Sequence, residues 1–228
     1  MVKKIFFFFA FLPLWAFSQK SNTGAWYTYL GNQKMGAKFT FLSEIQYRNY
    51  NFGGDLEQLL LRTGIGYDLS PKANFLFGYA HVLSESYKTG FSDKINSSEN
   101  RIFQQFLIKQ QEGIFYFTHR YRFEERWLGA YFKFRFRYFL SLNVPLNAKQ
   151  LKRNAIYFSA YNEIFINTHS SYFDRNRLFG GLGYMFTDNF KLEIGIMKQV
   201  LESKSRNQFQ IFFINTLPFF QHKQIDGN

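Results

Sequence analysis

The clearest pattern in the chain is a strict alternation of apolar and charged side chains between residues 114 and 142. One set of positions is almost wholly aromatic: Phe115, Phe117, His119, Tyr121 and Phe123, then, after a break at residues 127–129, Phe132, Phe134, Phe136, Tyr138 and Leu140. The intervening set is rich in arginine: Tyr116, Thr118, Arg120, Arg122, Glu124 and Arg126, then Tyr131, Lys133, Arg135 and Arg137. Because successive side chains of a strand point to opposite faces, the pattern predicts two strands with one apolar and one charged face.

The same alternation recurs along most of the chain. It predicts eleven strand-like segments, at residues 24–31, 37–48, 56–69, 73–83 and 101–110, the two strands within 114–142, and residues 154–166, 175–186, 190–199 and 207–217. Short turns are expected at residues 70–72, 111–113 and 187–189, and longer polar loops at residues 84–100, 167–174 and 201–206. Such connections are typical of a transmembrane β-barrel, whose short turns lie in the periplasm and whose longer loops lie outside the cell.

The expected architecture is therefore all-β, an antiparallel up-and-down transmembrane β-barrel. Single-chain bacterial barrels have an even number of strands, and eleven segments is an odd number. We favour ten spanning strands, counted from Ala37 onward, with residues 24–31 packed inside or under the barrel. Twelve strands, with one segment overlooked, is the alternative.

Composition bears on where the apolar face of these strands lies. Aromatic residues make up 22% of the chain, with 32 copies of Phe, yet the mean hydropathy is −0.28 because polar residues alternate with them. A transmembrane helix needs about 18 consecutive apolar residues, which no segment after residue 17 supplies, whereas a barrel strand needs only about 9–11 residues. The aromatic load favours a lipid-facing surface. The alternative is a soluble periplasmic sandwich or lipocalin-like barrel, whose strands would alternate equally well.

The first eighteen residues have the features of a secretory signal peptide. Lys3 and Lys4 precede an apolar stretch, and Ala16 and Ser18 are the small residues that cleavage requires. We therefore expect residues 1–18 to be a signal peptide and residues 19–228 to form a single barrel domain in the outer membrane of a Gram-negative cell.

The chain is strongly basic, with a formal net charge of +12 that becomes +10 when Lys3 and Lys4 are removed with the signal peptide. Nucleic acid is the usual partner of so basic a chain. Secretion argues against that partner, and so does the placement of the basic residues on one face of the strands. An outer membrane offers these basic residues other partners: the phosphates of lipopolysaccharide outside, and the charged groups of the lumen wall within.

Three short motifs accompany these strands: residues 119–126 (HRYRFEER), residues 161–165 (YNEIF), and Asn176-Arg177-Leu178 running into Gly181-Leu182-Gly183-Tyr184. They resemble the motifs of an uncharacterised outer-membrane β-barrel family of the Bacteroidetes, catalogued as a domain of unknown function (DUF2490). The resemblance covers essentially all of the predicted mature chain. It implies the fold and an outer-membrane location, but it implies no activity and supplies no catalytic residues.

The charged faces of the strands are expected to line the lumen. The lumen-lining candidates are Arg62, Arg101, Arg120, Arg122, Glu124, Arg126, Lys133, Arg135, Arg137, Glu163, Arg177 and Glu193. Two interpretations of this set are open. In the first, ion pairs between the strands fill and stabilise the interior of the barrel, since charges shielded from water need partners. Alternatively, the surplus of arginine forms a constriction that attracts anions.

His119 stands out because the alternation puts it on the apolar face. Some outer-membrane lipid hydrolases place a Ser–His site on their lipid-facing wall, where the histidine acts as the base for a serine nucleophile. No serine motif accompanies His119, so a position near the membrane interface is the simpler interpretation. Cysteine is absent, and His81, His169 and His222 are scattered. We therefore expect no catalytic residues, no metal site and no cofactor.

The expected function is a narrow, porin-like channel with a basic lumen, or a structural membrane protein, without enzyme activity. The alternatives are an outer-membrane lipid-modifying enzyme around His119 and a soluble periplasmic β-barrel that binds a ligand. Outer-membrane lipids, lipopolysaccharide and the barrel assembly machinery are the expected partners. The solute and the oligomeric state stay open.

Overall fold

The structure of the protein is a computed structural model that describes residues 23–88, 92–168 and 171–219. The predicted signal peptide at residues 1–18 lies outside the described residues, so that assignment stays a prediction. His169 and His222 also lie outside them. Among the described residues, no helix is long and apolar enough to cross a membrane.

The described residues form eleven strands and no helix. The strands are β1 (Thr23–Lys34), β2 (Phe39–Asn49), β3 (Leu56–Ser70), β4 (Ala73–Tyr87), β5 (Lys94–Glu112), β6 (Phe115–Leu128), β7 (Tyr131–Pro145), β8 (Ile156–Asn167), β9 (Phe173–Met185), β10 (Phe190–Leu201) and β11 (Ser205–Asn215). Each strand overlaps one of the segments predicted from the alternation, which confirms the all-β class.

The strands form one closed barrel in which each strand pairs with its neighbours in sequence. The ten consecutive pairings are antiparallel, and β1 then pairs in parallel with β11 from Thr23↔Asn207 to Gly31↔Asn215. The prediction of an even strand number, ten or twelve, is therefore wrong. Residues 24–31 do not pack inside or under the barrel. They belong to β1, which hydrogen-bonds to β2 on one side and β11 on the other, so the closure is parallel.

The two ends of the barrel differ in their connections. We call the end that holds the connections after β1, β3, β5, β7 and β9 the turn end, and the opposite end the loop end. The three predicted short turns lie at the turn end, and the three predicted loops lie at the loop end. The prediction of a loop over residues 84–100 is largely wrong, because β4 and β5 continue to pair as far as Tyr87↔Lys94. The Ser-rich sequence there forms an extended hairpin.

Alternation sorts the side chains between the two faces of the barrel wall. Large apolar side chains are exposed on the outer face, whereas charged and polar side chains are buried inside. The inner face also holds three small apolar clusters, centred on Trp26, Leu42 and Tyr157. Glycine makes room for the largest of these side chains: a Cβ at Gly183 would overlap the ring of Tyr157 on the neighbouring strand. This interior positions the charged groups described next.

Candidate functional site

The charged residues of the lumen come mainly from β5 to β9, where alternate positions face inward. Nine of the predicted lumen residues are buried: Arg62, Arg101, Arg122, Glu124, Arg135, Arg137, Glu163, Arg177 and Glu193. Arg120 and Arg126 are partly buried and make ion pairs inside the barrel. Lys133 differs from the others, because it is exposed two residues from the loop-end start of β7.

Arg137 is the centre of an ion-pair layer on the inner face of the three neighbouring strands β6, β7 and β8. Its Nη1 donates to Glu124 Oε1 at 2.6 Å, and its Nη2 donates to Glu163 Oε1 at 2.6 Å. Glu124 also accepts two bonds from Arg135, at 2.9 and 2.5 Å. Glu163 accepts one from Arg120 at 2.8 Å. Each carboxylate is thus shared between two guanidinium groups, which leaves an excess of positive charge.

Two further buried arginines differ in how their charge is neutralised. Arg62 pairs at 2.5 Å with Glu44, which lies opposite it in the β2–β3 register. Arg122 donates twice to the neutral side-chain oxygen of Gln105, at 3.1 and 2.6 Å, and lies 3.8 Å from Glu124. A hydrogen bond to an amide oxygen satisfies the geometry of a guanidinium but does not cancel its charge.

A second group of ion pairs lies nearer the loop end. Glu99 accepts from both Arg101 and Arg126, at distances between 2.5 and 3.0 Å. Asp174 accepts from Arg135 at 2.9 Å and from Arg175 at 3.0 Å. Sequence reasoning missed Glu99, because it fell in a segment predicted to be a loop. Its alternation with Arg101 and Phe103 was the signal that could have placed it inside.

Arg48 and Arg177 interact mainly with aromatic rings and amides. The guanidinium carbon of Arg48 lies 4.0 Å from the centre of the Trp26 ring, and that of Arg177 lies 4.8 Å from the same ring. Arg48 donates to Gln46 and Gln58, and Arg177 donates to Gln199 at 2.9 Å. The nearest carboxylate to Arg177 is Glu163, at 3.7 Å. These contacts hold both side chains in place by cation–π attraction and by hydrogen bonds to neutral amide oxygens, which do not cancel charge.

Glu193 belongs to a separate and mostly neutral network at the turn end. It accepts from the Tyr157 hydroxyl at 2.9 Å and from the Ser159 hydroxyl at 3.0 Å, and it pairs with Lys191 at 3.1 Å. The ring of Tyr157 packs in a cluster with Ala155 and Met185, against which the β7–β8 connection adds Ala148 and Leu151. This part of the lumen is closed chiefly by packing.

Three of the cavities that the described residues enclose lie within or at the ends of this lumen. A turn-end pocket of about 330 Å³ is lined by Lys34, Asp68 and Lys109 among others. A central cavity of about 240 Å³ is lined by Glu44, Arg120, Arg137, Tyr161, Glu163 and Glu193 among others. The third, of about 90 Å³, lies toward the loop end, and we call it the arginine cavity. Its charged lining consists of Arg48, Arg62, Arg101, Arg126, Arg135, Arg137, Arg175, Arg177 and Glu99.

Arg137 and Arg177 line both the central cavity and the arginine cavity. The side chains of these two arginines therefore lie between the two spaces. A solute that moved along the lumen from one space to the other would pass them, and it would meet further guanidinium groups in both spaces.

The Ser–His site considered for the outer wall would require a serine hydroxyl beside His119, and the structure places other groups beside the histidines. His119 Nδ1 lies 2.9 Å from the Tyr138 hydroxyl, and His81 Nδ1 lies 2.8 Å from Asn100 Oδ1. A phenol and an amide, rather than a serine hydroxyl, thus occupy these hydrogen-bonding positions. Within the described ranges, no group of three or more His, Cys, Asp or Glu side chains is arranged to hold a metal ion.

Comparison with known proteins gives a family and one relative. A family model described as a protein of unknown function (DUF2490) matches residues 23–210. An uncharacterised protein of Methylorubrum extorquens is 29% identical over 173 residues, which cover 72% of this chain and 73% of that protein. No solved structure matches. The match to the family model spans the barrel from β1 into β11, and so it includes all the lumen residues described above.

Proposed function

The chain belongs to the DUF2490 family of proteins of unknown function, and from its barrel we propose that it is an integral outer-membrane protein. In this proposal it forms a narrow, anion-attracting passage that ion pairs in the lumen hold closed at rest. The observation that supports the proposal best is the opposite character of the two faces of the wall.

The outer face supports the membrane location. Ile65, Phe77, Phe136, Leu178 and Ile196 lie on five different strands, and each is between 50% and 61% exposed. A soluble barrel rarely leaves so many large apolar side chains in contact with water. A transmembrane barrel exposes them to lipid and turns its polar positions toward the lumen. In the proposed orientation the turn end faces the periplasm and the loop end faces the outside of the cell.

The inner face supports the anion-attracting passage. Rings of arginine and lysine select anions in membrane pores, and guanidinium groups outnumber carboxylates in the arginine cavity and in the layer around Arg137. The same layer supports a closed resting state, since Arg137 is buried inside the lumen and hydrogen-bonded there to Glu124 and Glu163 of the two neighbouring strands. Small barrels are largely filled by their own side chains, which agrees with a narrow passage.

The proposal assigns no catalytic role to the chain. His119 is the residue that a lipid-modifying site would use, and its hydrogen bond to Tyr138 suits a side chain of the outer wall. Replacing His119 by Ala should leave the lipid composition of the membrane unchanged.

The first experiment is heat-modifiable gel migration of the protein extracted from outer membranes, followed by conductance in planar bilayers. We expect a folded band that shifts on boiling, and rare, small conductance events that favour anions. Arg137→Gln should open the lumen more often and weaken the preference for anions, because it removes the charge that bridges two carboxylates. Lys198→Gln removes one positive charge from the outer face of β10 and is the matched control.

Three results would separate the alternatives. Recovery of the protein in the soluble periplasm would overturn the membrane location and favour a periplasmic binding protein. A heat-modifiable band with no conductance in the wild type or in Arg137→Gln would overturn the passage and leave a structural barrel. Equal changes of selectivity in Arg137→Gln and Lys198→Gln would show that the lumen layer does not control ion movement.

A further inference from the structure

The arginine cavity has an unusual balance of charge for a space inside a folded chain. Eight arginines and one glutamate line it. Five carboxylates contact those arginines, namely Glu44, Glu99, Glu124, Glu163 and Asp174. Two of the five are shared with other arginines, because Glu124 also pairs with Arg122 and Glu163 also pairs with Arg120. The cavity is therefore left with a surplus of buried positive charge.

Particular donors on this wall are unused. Arg62 is 6% exposed, and its buried Nε has no hydrogen-bond partner among the described residues. The buried Nε of Arg175 is in the same condition. Among the same residues, Arg48 donates only to the amide oxygens of Gln46 and Gln58, so no carboxylate is hydrogen-bonded to it. Buried cations without counter-charges are costly, and an anion bound beside them offsets that cost.

Size and geometry limit what such an anion can be. A volume of about 90 Å³ has room for a few water molecules or one small inorganic anion, and it is too small for a nucleotide or a lipid headgroup. The planar guanidinium fork donates two parallel hydrogen bonds, which suits the oxygen pairs of phosphate and sulfate. Several forks facing one cavity match an anion that has acceptor oxygens on every side.

We propose that the arginine cavity is a binding site for one inorganic tetrahedral oxyanion of the phosphate and sulfate class. The anion enters from the loop end, where Arg48, Arg126 and Arg175 lie within two residues of the strand ends. Inside the cavity, the anion would contact Arg135 and Arg137 from the loop-end side of the ion-pair layer. The site lies in the same lumen as the proposed passage, but occupation of the site does not require the passage to conduct.

The test is calorimetric titration of the full chain, folded in detergent, with inorganic phosphate and with sulfate at constant ionic strength in chloride. We expect saturable binding of phosphate or sulfate to one site per chain, and a raised unfolding temperature that increases with ligand concentration. Chloride at the same ionic strength should reproduce neither effect. Because binding is measured without a bilayer and conductance without phosphate, failure of either proposal is distinguishable from failure of the other.

Variants locate the site. Arg48→Gln should weaken phosphate binding by about tenfold or more, because it removes a charged donor that has no competing carboxylate. Arg48→Lys keeps the charge and loses the fork, so it should give an intermediate affinity. Arg120→Gln also removes one lumen arginine, but this residue lines the central cavity and not the arginine cavity. The affinity of Arg120→Gln for phosphate should stay within about twofold of the wild-type affinity. This change is much smaller than the tenfold loss expected of Arg48→Gln.

Two outcomes would overturn the proposal. One is a wild-type barrel that takes up neither phosphate nor sulfate. The other is an equal loss of affinity in Arg48→Gln and Arg120→Gln, which would mean that the oxyanion responds to the total charge of the lumen. If Arg48→Gln does not fold, the comparison of Arg48→Lys with Arg120→Gln decides the same question.

Discussion

At the loop end the lumen is lined by guanidinium groups and their shared carboxylates, whereas at the turn end it is closed by the packing of Tyr157 against Ala155 and Met185. Both regions are buried, and both lie inside the same eleven-stranded wall. Ion pairs connect the side chains at the loop end, whereas close packing of apolar side chains connects those at the turn end. The difference predicts that similar small changes in side-chain structure have unequal consequences at the two ends.

The largest effect is expected from Glu124→Gln at the loop-end side. Glu124 is 1% exposed and accepts three hydrogen bonds from Arg135 and Arg137. Breaking a buried ion pair by removing one partner costs about 3–5 kcal/mol, because the remaining charges lose their compensation. Denaturant unfolding in detergent, followed by tryptophan fluorescence, should show this loss.

The control for that variant is Glu125→Gln, one residue further along β6. Glu125 points to the outer face and accepts one long hydrogen bond, from Gln104 at 3.3 Å. Its replacement should change the free energy of unfolding by less than about 1 kcal/mol. If the two glutamate variants unfolded at the same denaturant concentration, charge compensation inside the lumen would not be what stabilises the loop end.

A smaller effect is expected from Gly183→Ala at the turn end. The added methyl group would overlap the ring of Tyr157 and push its hydroxyl away from Glu193. Overpacking of this kind costs about 1–3 kcal/mol. The same unfolding measurement checks it.

Gly180 on the same strand provides the matched control, because a Cβ there would have no neighbour within 4 Å. Gly180→Ala should be neutral or slightly stabilising, since alanine restricts the unfolded chain more than glycine does. A loss of stability in Gly180→Ala equal to that in Gly183→Ala would point to strand propensity and not to the fit around Tyr157.

The smallest effect is expected from Lys34→Gln. Lys34 pairs with Asp68 at the rim of the turn end, but its side chain is 53% exposed. Exposed ion pairs contribute about 0–1 kcal/mol, and salt screens them. The difference in unfolding free energy from the wild type should therefore shrink between low salt and about 1 M salt, at which the Debye length is only about 3 Å. A loss as large as that of Glu124→Gln would mean that exposure does not explain the contrast between the two ends.

Alternation in the sequence predicts one face for each strand, and the structure buries most of the charged residues on that face but leaves Lys133 exposed. Glu124 and Arg137 follow the same two-residue period as their strands, and both are buried inside. The partners of these charges could not be predicted in the same way. Arg137 lies opposite Phe165 in the strand register, yet its side chain reaches Glu163, two residues away. A long, flexible arginine side chain can reach several carboxylates on neighbouring strands. The alternation within one strand does not specify which of them it binds.

The errors have separate physical causes. The Ser-rich residues of the β4–β5 hairpin are polar on both faces because the hairpin continues past the barrel proper, and so they resemble a loop. The strand number was wrong because no alternation pattern reports how the last strand meets the first. Antiparallel neighbours need only short turns, whereas the β1–β11 pairing joins segments separated by most of the chain.

An odd number of strands also determines at which end of the barrel the first strand begins and the last strand finishes. Because β1 and β11 run in the same direction, Thr23 begins at the loop end and Asn215 finishes at the turn end. In a barrel with an even number of strands both positions would lie on the same side. In the proposed orientation, the start of β1 therefore lies on the outer side of the membrane and the end of β11 lies on the periplasmic side, although these two strands are hydrogen-bonded neighbours.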